Sequence, residues 1–394
     1  MQDSIWFHTL PSELRDVLQT SDELPGRAEV VIAGSGMIGI STAYYLSEAG
    51  VRDICLVDRG TALGEASGAN AGGLWFAQQS SELGSLSVLA KASSHLYHEL
   101  SQVFEFDFTT TGLLELLNNV EQADQGESRA QVVRDSGFRA EFVSGKQARS
   151  IEPGLALTPE AALYYPDEAH VHPTRLAAAL VGHLRQKGVR FCFNTEVKSL
   201  SDSVETNRGA ISAGTTVIAS GAWTPLVTQS LGWEPPIRPM RGTLLALEPI
   251  SRVLRHTMIG EKYYYWQLAG GQIVAGGSVD DVGFEQGVEP ATVASIRDEL
   301  RTLLPAAAEQ PLICAWSGFR PYCDDLKPVL GAVPARENTF VAAGHFKKGI
   351  MMSPVTGKIL ADLVTSGKTD LPIEPLSPAR FPLEGSGPLS LTQG

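Results

Sequence analysis

The chain has 394 residues, 43% of them hydrophobic and 19% charged, an ordinary balance for a folded protein with a sizeable core and about two or three domains. Its 31 basic and 44 acidic residues give a net charge of −13, and no Lys/Arg cluster of the kind that tracks phosphates is present, so nucleic acid is excluded as a partner. The four cysteines, Cys55, Cys192, Cys314 and Cys323, show neither C-x-x-C spacing nor clustering with histidine. No metal site or disulfide framework is expected, and the thiols are expected to be buried.

The opening "MQDSIWFHTLPSELRDVLQTSDELPGRAE" lacks the basic start and apolar block of a signal peptide, and no apolar run reaches the roughly 20 residues that cross a bilayer. A cytoplasmic location and no transmembrane segment are therefore expected. Within this leader "PSELRDVLQ" predicts a short amphipathic helix through Leu14, Val17 and Leu18, packed on the body of the protein.

The next stretch, "VVIAGSGMIGISTAYYLSEAGVRDICLVDRG", reads as apolar strand, glycine loop, helix from Ile40 to Ala49, and a second strand Ile54 to Val57. Gly34 permits a tight turn, Gly36 lets the backbone approach a pyrophosphate, and Gly39 lets the helix pack closely on the strand. The helix N-terminus offers free N–H groups and a positive dipole end to phosphate, and Asp58 ends the second strand where a carboxylate accepts from an adenosine ribose. This is a dinucleotide-binding pattern that by itself does not separate FAD from NAD.

After Asp58, "GTALGEASGANAGGLWFAQQ" is rich in small residues that let backbone lie against a flat ligand. Helical spacing follows from Leu83 to Val103, then a strand over 108–117, then a polar connection "ADQGESRAQVVRDSGFRAEFVS" leading into a helix and a short strand. "DEAHVHPTRLAAALVGHLRQKGVRFCFNTEVKSL" reads as loop, helix and strand, with Pro173 near the helix start where it costs least. A buried strand within 215–227 ends in Gly221, and alternation between about 237 and 325 predicts antiparallel hairpins with Gly270 and Gly271 at a turn. "NTFVAAGHFKKGIMMSPVTGKILADLV" reads as strand, glycine loop and helix, and the tail after Leu371 reads as partly loose.

The expected fold is α/β (α+β overall), a Rossmann-like nucleotide domain interlaced with a substrate domain on a mostly antiparallel sheet. The nucleotide domain is expected over 28–82, 145–225 and 325–372 and the substrate domain over 83–144 and 226–324, with an extension at 1–27 and a tail at 373–394.

Eight stretches occur in the order used by one known family: the opening glycine loop, "SGANAGG", "DEAHVHPTRLAAAL", "VIASGAWT", "PIRPMRGTLL", "GGQIVAGGSVDDVGF", "WSGFRPYCDDLKPVLG" and "AAGHFKKGIMMSPVTGKILADLV". In these the chain resembles the D-amino-acid oxidase superfamily of FAD enzymes, most closely its glycine oxidase and D-amino-acid dehydrogenase branch. The resemblance implies oxidation of an amine beside a carboxylate by hydride transfer to flavin N5, and an imine that water hydrolyses to a keto acid. The acceptor it implies is O2 or another electron acceptor, and it leaves open a homo-oligomer or a partner subunit. An opine or hydroxyproline type of secondary-amine dehydrogenase, passing electrons to a quinone or partner subunit, is the alternative within the same resemblance.

Carried over by position, the implied FAD contacts are Gly34, Gly36, Met37, Ile38, Gly39, Asp58, Arg59, Ser67, Asn70, Ala71, Gly72, Gly73, Val197, Ser220, Gly221, Trp223, Gly344, His345, Lys347, Lys348, Gly349 and Ile350. Three features depart from the family: Asp58 where many members carry Glu, Lys347 and Lys348 where a glycine oxidase has Arg then Asn, and the bulky run Tyr263 to Trp266. Cys323 lies downstream of the position of the cysteine that holds flavin covalently in sarcosine-oxidase relatives, so noncovalent FAD is expected.

A small amino acid must be held by its carboxylate, and a guanidinium fork does this bidentately. Arg320 stands where the resemblance implies that role. Tyr264 matches a tyrosine that supports the substrate; on a strand Tyr263 and Tyr265 face one way and Tyr264 the other, so one face only can line a site. The resemblance implies that "GHFKKGIMM" aims a helix N-terminus at the flavin pyrimidine, and Lys347 either adds positive charge there, reaches the substrate carboxylate or is a solvated lysine.

Overall fold

The structure, a computed structural model, describes residues 4–383. Two compact units divide the chain: one of residues up to Leu10 with Gly68–Leu176 and Met240–Phe319, the other of Pro11–Ser67, Ala177–Pro239 and the chain from Arg320 onward. Segments 68–82 and 145–176, which the sequence reading grouped with the nucleotide domain, lie in the first unit. Their strands pair there: Gly73–Leu74 with Ala169–His170, and Ala161–Tyr165 with Leu113–Leu117.

The second unit is built on parallel strands. Arg27–Ala33 lies between Ile54–Val57 and Gly209–Ile218, with Thr339–Ala343 and Arg190–Cys192 parallel on the outer sides. Antiparallel strands Val197–Leu200 and Ser203–Thr206 extend one side. Val30 to Ala33 and Ile54 to Val57 are buried without alternation, as expected of a parallel sheet covered on both faces. Helices Met37–Glu48 and Gly349–Ser366 pack against one another so closely at Gly357 that a Cβ there would lie 2.5 Å from the backbone carbon of Ser41. The glycine costs about 1 kcal/mol of helix propensity and makes that approach feasible.

The first unit carries an eight-stranded sheet in the order 312–323, 237–247, 273–276, 264–267, 257–259, 113–117, 161–165, 141–144; from 237–247 onward its pairs are antiparallel except between Thr257–Ile259 and Leu113–Leu117. The hairpin anticipated at Gly270 and Gly271 joins Tyr264–Gln267 to Ile273–Gly276, with Gly271 at φ +91. The leader supplies helix Ser12–Gln19 to the second unit, with Leu18 fully buried, and Ile5, Trp6 and Phe7 to the core of the first.

Several local expectations are corrected. The polar stretch after Asn119 is itself a helix, Val120–Asp135, started by the Asn119 side chain accepting from Gln122 N; its low hydrophobicity hid it. The strand expected over 108–117 breaks into Thr109–Thr110 and Leu113–Leu117 at Gly112, where φ is +68. The helix expected from Leu83 to Val103 starts later, as Ser87–Val103, and an unanticipated helix Phe76–Leu83 precedes it across a 3-10 turn. Gly209–Ile218 ends before Gly221, and helix Pro290–Leu303 interrupts the region read as hairpins. Cys314 is half-buried, whereas the other three thiols are buried. The tail is fastened as far as it is described, Arg380 pairing with Asp325 at 2.8 Å; residues 384–394 of the expected loose tail lie outside the described residues.

Candidate active site

In the second unit, four loops leave the carboxyl ends of neighbouring parallel strands, the edge at which open α/β sheets bind ligands. The first follows Ala33. Gly34 has φ +119, and a Cβ there would sit 2.4 Å from Ala219 O; at Gly39 a Cβ would sit 2.0 Å from Gly34 O. Both positions are therefore closed to any side chain. Gly36 differs, because its Cβ would meet only Ser67 Oγ, at 3.1 Å, and Cβ, at 3.9 Å. It caps helix Met37–Glu48, and Met37 N donates to Ser67 Oγ at 3.0 Å, so Ser67 anchors the loop to the helix start. Ile38 follows in the first turn.

The second loop starts at Asp58. Its Oδ2 accepts from Ser35 N at 2.7 Å and Ser35 Oγ at 2.9 Å, and Oδ1 accepts from Gly60 N at 2.9 Å. The carboxylate thus stitches the first two loops together. Arg59 lies over the Trp223 ring, 3.7 Å from its centroid, and pairs with Glu65. Two residues assigned separately from sequence meet in that stack. The third loop carries them: Ser220 Oγ donates to Ala33 O at 2.9 Å, tying it to the first strand's end, and Gly221 has φ +54. Val197 begins an edge strand and packs on the core of the unit.

The fourth loop follows Thr339–Ala343. Gly344 (φ +75) and Phe346 (φ +49) both occupy the left-handed region, a conformation costly for phenylalanine. The T-shaped contact of Phe346 with Tyr322, 5.0 Å between centroids, helps hold it. His345 is buried, its Nε2 3.1 Å from Thr356 Oγ1, so a side-chain hydroxyl of the following helix engages that nitrogen. Burial, aided by the Lys348 charge, lowers its pKa to about 4, and the ring is neutral at physiological pH. The two lysines separate: Lys348 is buried, whereas Lys347 is exposed with Nζ 5.5 Å from the Phe346 ring. Helix Gly349–Ser366 starts here with no side-chain cap, leaving Gly349 and Ile350 in its dipole-bearing first turn. Arg320 is half-buried near the end of strand Leu312–Cys323, two residues before Tyr322.

In the first unit, Asn70 to Gly73 form a tight loop. Asn70 Oδ1 accepts from Gly72 N at 2.6 Å, Asn70 O accepts from Trp6 Nε1 at 2.7 Å, and Gly72 (φ +71) leaves no room for a Cβ beside Val171 O at 2.5 Å. Ala71 is half-buried in that loop. Tyr263 and Tyr265 turn into the core against helix Pro290–Leu303, Tyr263 donating to Ser295 Oγ at 3.1 Å, while Tyr264 occupies the opposite face. There it meets Trp75 edge-on at 4.9 Å and Trp266 at 5.9 Å, in room provided by Gly277, whose Cβ would strike the Tyr264 ring.

Residues missed in the sequence reading are Ser35, Trp75 and Trp266. A hydroxyl between the first two loop glycines signals Ser35, and the aromatic directly after "NAGGL" signals Trp75; neither has meaning until the chain is folded. Glu168 is also new: buried, it accepts from Phe76 N at 2.7 Å and Gln78 N at 2.8 Å, and burial pushes its carboxyl up to about 8. Among the described residues no cluster of three or more His, Cys, Asp or Glu side chains could hold a metal ion, and no helix is long and apolar enough to cross a membrane.

The family described as FAD dependent oxidoreductase (DAO) matches residues 29–363. Glycine oxidase of Geobacillus kaustophilus is 29% identical over 367 residues, covering 90% of this chain and 97% of its own, and its crystal structure superposes with a TM-score of 0.85 over 91% of this chain and 100% of that one. Subunit HcnC of the hydrogen cyanide synthase of Pseudomonas aeruginosa is 28% identical, covering 90% and 96%. L-proline dehydrogenase of P. horikoshii, at 24% identity, shares the fold with a TM-score of 0.85 over 91% of this chain and 98% of that one. The loops described fit FAD: the bare backbone at Gly36 would admit a pyrophosphate, Asp58 Oδ1, which accepts one hydrogen bond, would have a lone pair for a ribose hydroxyl, and the start of helix Gly349–Ser366, without a side-chain cap, would present its dipole to the flavin. The chain is an oxidoreductase and belongs to the DAO family of FAD-dependent enzymes.

Proposed function

We propose that the chain oxidises a small amino acid or related amine, of the glycine, sarcosine or D-amino-acid type, to an imine that water hydrolyses to the keto acid. The observation that carries this reading is the likeness to glycine oxidase along nearly the whole of both chains. Bound FAD supplies the hydride acceptor. It is held noncovalently by the Gly34–Gly39 loop, Asp58, Ser220–Trp223 and Gly344–Ile350. Arg320 receives the substrate carboxylate through its fork. Within the first unit Tyr264 is braced by Trp75 and Trp266. Lys348 and the start of helix Gly349–Ser366 add positive potential, with Lys347 supplying charge from the surface. The reaction needs no protein nucleophile, because the amine reacts as its neutral form and the ammonium proton passes to water.

A second reading, a dehydrogenase that hands electrons to a quinone or partner subunit, is favoured by the likeness to HcnC, itself named as a subunit. Anaerobic mixing of the yellow protein with glycine, sarcosine, D-amino acids, D-proline, hydroxyprolines and opines tests both. Bleaching by a small amino acid followed by fast recovery in oxygen supports the oxidase; recovery only with an artificial acceptor supports the dehydrogenase. Bleaching by none refutes amine oxidation.

A further inference from the structure

The first unit holds a solvent-open cavity of about 450 Å3, lined by no residue that the sequence assigned to FAD or substrate. Its size lies in the range of small-molecule sites and far exceeds what glycine fills. One wall is aromatic. Trp6 and Trp266 lie nearly parallel with centroids 6.4 Å apart, His170 stacks on Trp266 at 5.4 Å, and the Trp6 edge meets His172 at 5.1 Å. These four rings are all buried.

The opposite character comes from arginines. Arg175, Arg252 and Arg255 line the cavity with Asp107 as the one carboxylate among the lining residues, and Asp107 is engaged by Arg175 at 3.1 Å. Two guanidinium charges are left over, on a chain whose net charge is −13. Arg252 is oriented by a hydrogen bond to Gln267 O at 3.2 Å, and the segment carrying Arg255 is pinned by Glu152, which accepts from the backbone N–H of Arg255 and His256 at 2.9 and 3.0 Å. His170 and His172 add no charge, since burial holds both near pKa 3. Their nitrogens are occupied by hydroxyls, His172 between Thr9 and Thr174 at 3.0 and 3.1 Å and His170 beside Thr111 at 3.2 Å.

Two buried donors are left over among the lining residues, Arg175 Nε–H and Trp266 Nε1–H. Trp266 is only 3% exposed, and its Nε1–H, in a residue that lines the cavity, has no hydrogen-bond partner. A buried N–H without an acceptor costs about 1–3 kcal/mol, a cost that an oxygen atom of a bound molecule removes.

We propose that this cavity is a second binding site, for a small organic anion whose flat apolar body lies on the Trp6/Trp266 wall and whose carboxylate or phosphate meets Arg252 and Arg255. The site shares Trp266 with the aromatic group around Tyr264, and its anion-binding arginines stand whether or not the amine-oxidising reading holds.

Calorimetric titration of the FAD-loaded protein with 1-naphthoate, 1-naphthyl phosphate, 1-naphthol and inorganic phosphate tests this. The two naphthyl anions are expected to bind with one site per chain and at least about tenfold tighter than neutral naphthol or phosphate alone, the difference between them telling carboxylate from phosphate. The double variant Arg252→Gln/Arg255→Gln, at exposed positions, should lose about tenfold or more of that affinity, while its FAD content and kcat/KM for the best amine stay those of wild type. Trp266→Phe should weaken the anions severalfold and leave naphthol unchanged. Anions that bind no tighter than naphthol overturn the proposal. So does anion binding that survives the double arginine change and disappears in Arg320→Ala, since that places it in the amine site.

Discussion

Replacing Gly39 by alanine sets two opposing effects against each other at the start of the nucleotide-binding helix. Alanine raises helix propensity by about 1 kcal/mol. Against this, its Cβ would lie 2.0 Å from Gly34 O, 3.1 Å from Gly34 C and 3.4 Å from Ile32 Cγ2. A flexible side chain could swing away, but Gly34 O is backbone, and Gly34 is itself pinned by its N–H to Val57 O at 2.8 Å and by the wall at Ala219. The helix and strand must separate by more than an ångström. Overpacking of that kind costs about 1–3 kcal/mol, and a backbone partner puts this case at the upper end. The net loss is then about 2 kcal/mol, or about 4–8 °C in Tm for a unit of this size. The same shift moves the phosphate-binding loop, so FAD affinity falls with stability. Thermal melts of the apoprotein and fluorescence titration with FAD measure both. Gly182→Ala provides the control: it lies within helix Pro173–Gln186 with no atom within 4 Å of its Cβ, and should stabilise by about 0.4–1 kcal/mol. A Gly39→Ala protein as stable as wild type and fully loaded with FAD would refute the close-packing argument.

Gly36→Val should separate the two effects, since the site offers room for a Cβ apart from Ser67 Oγ: the apoprotein still folds, somewhat destabilised, while stoichiometric FAD is lost, as read by absorbance after gel filtration. Arg320→Ala should lower kcat/KM about tenfold to a hundredfold with the flavin spectrum intact, Arg320→Lys should recover part of it, and a carboxylate-free amine should be little affected; unchanged kinetics would place the carboxylate elsewhere. Glu168 carries a pH signature. Its carboxyl, raised by burial from 4.5 to about 8, binds a proton in the folded state that the unfolded chain has released, so its contribution is full below about pH 4.5 and is lost as pH rises through 8. The slope approaches 1.4 kcal/mol per pH unit at most. Denaturant unfolding of Glu168→Gln from pH 5 to 9 should therefore fall less steeply than wild type, and parallel curves would contradict the raised carboxyl.

Much of the nucleotide half was legible from residues alone. A β-branched run followed by glycines at close spacing and an apolar helix admits few alternatives, because Gly34 and Gly39 are required by local turn geometry and by one strand-helix contact. The same locality explains why Ile54–Val57, Pro173 at its helix start and the strand, loop and helix around Gly344 were read at or near their observed places. The odd-even alternation of Tyr263, Tyr264 and Tyr265 was likewise written in the strand period, although which face would turn inward was not.

What only tertiary structure decided concerns groups whose partners are distant in the chain. Lys347 and Lys348 are indistinguishable as letters, yet one is buried and the other exposed because Phe346 takes a left-handed turn between strand and helix. His345 is neutral because burial in the folded core, with the Lys348 charge adding to it, lowers its pKa to about 4. Asp58 holds Ser35, Arg59 stacks on Trp223, and Trp6 joins Trp266 and His172 only after strands far apart in sequence are laid side by side. Propensity and periodicity are short-range properties of the chain; charge, burial and cavity shape come from contacts across it, which local patterns do not encode.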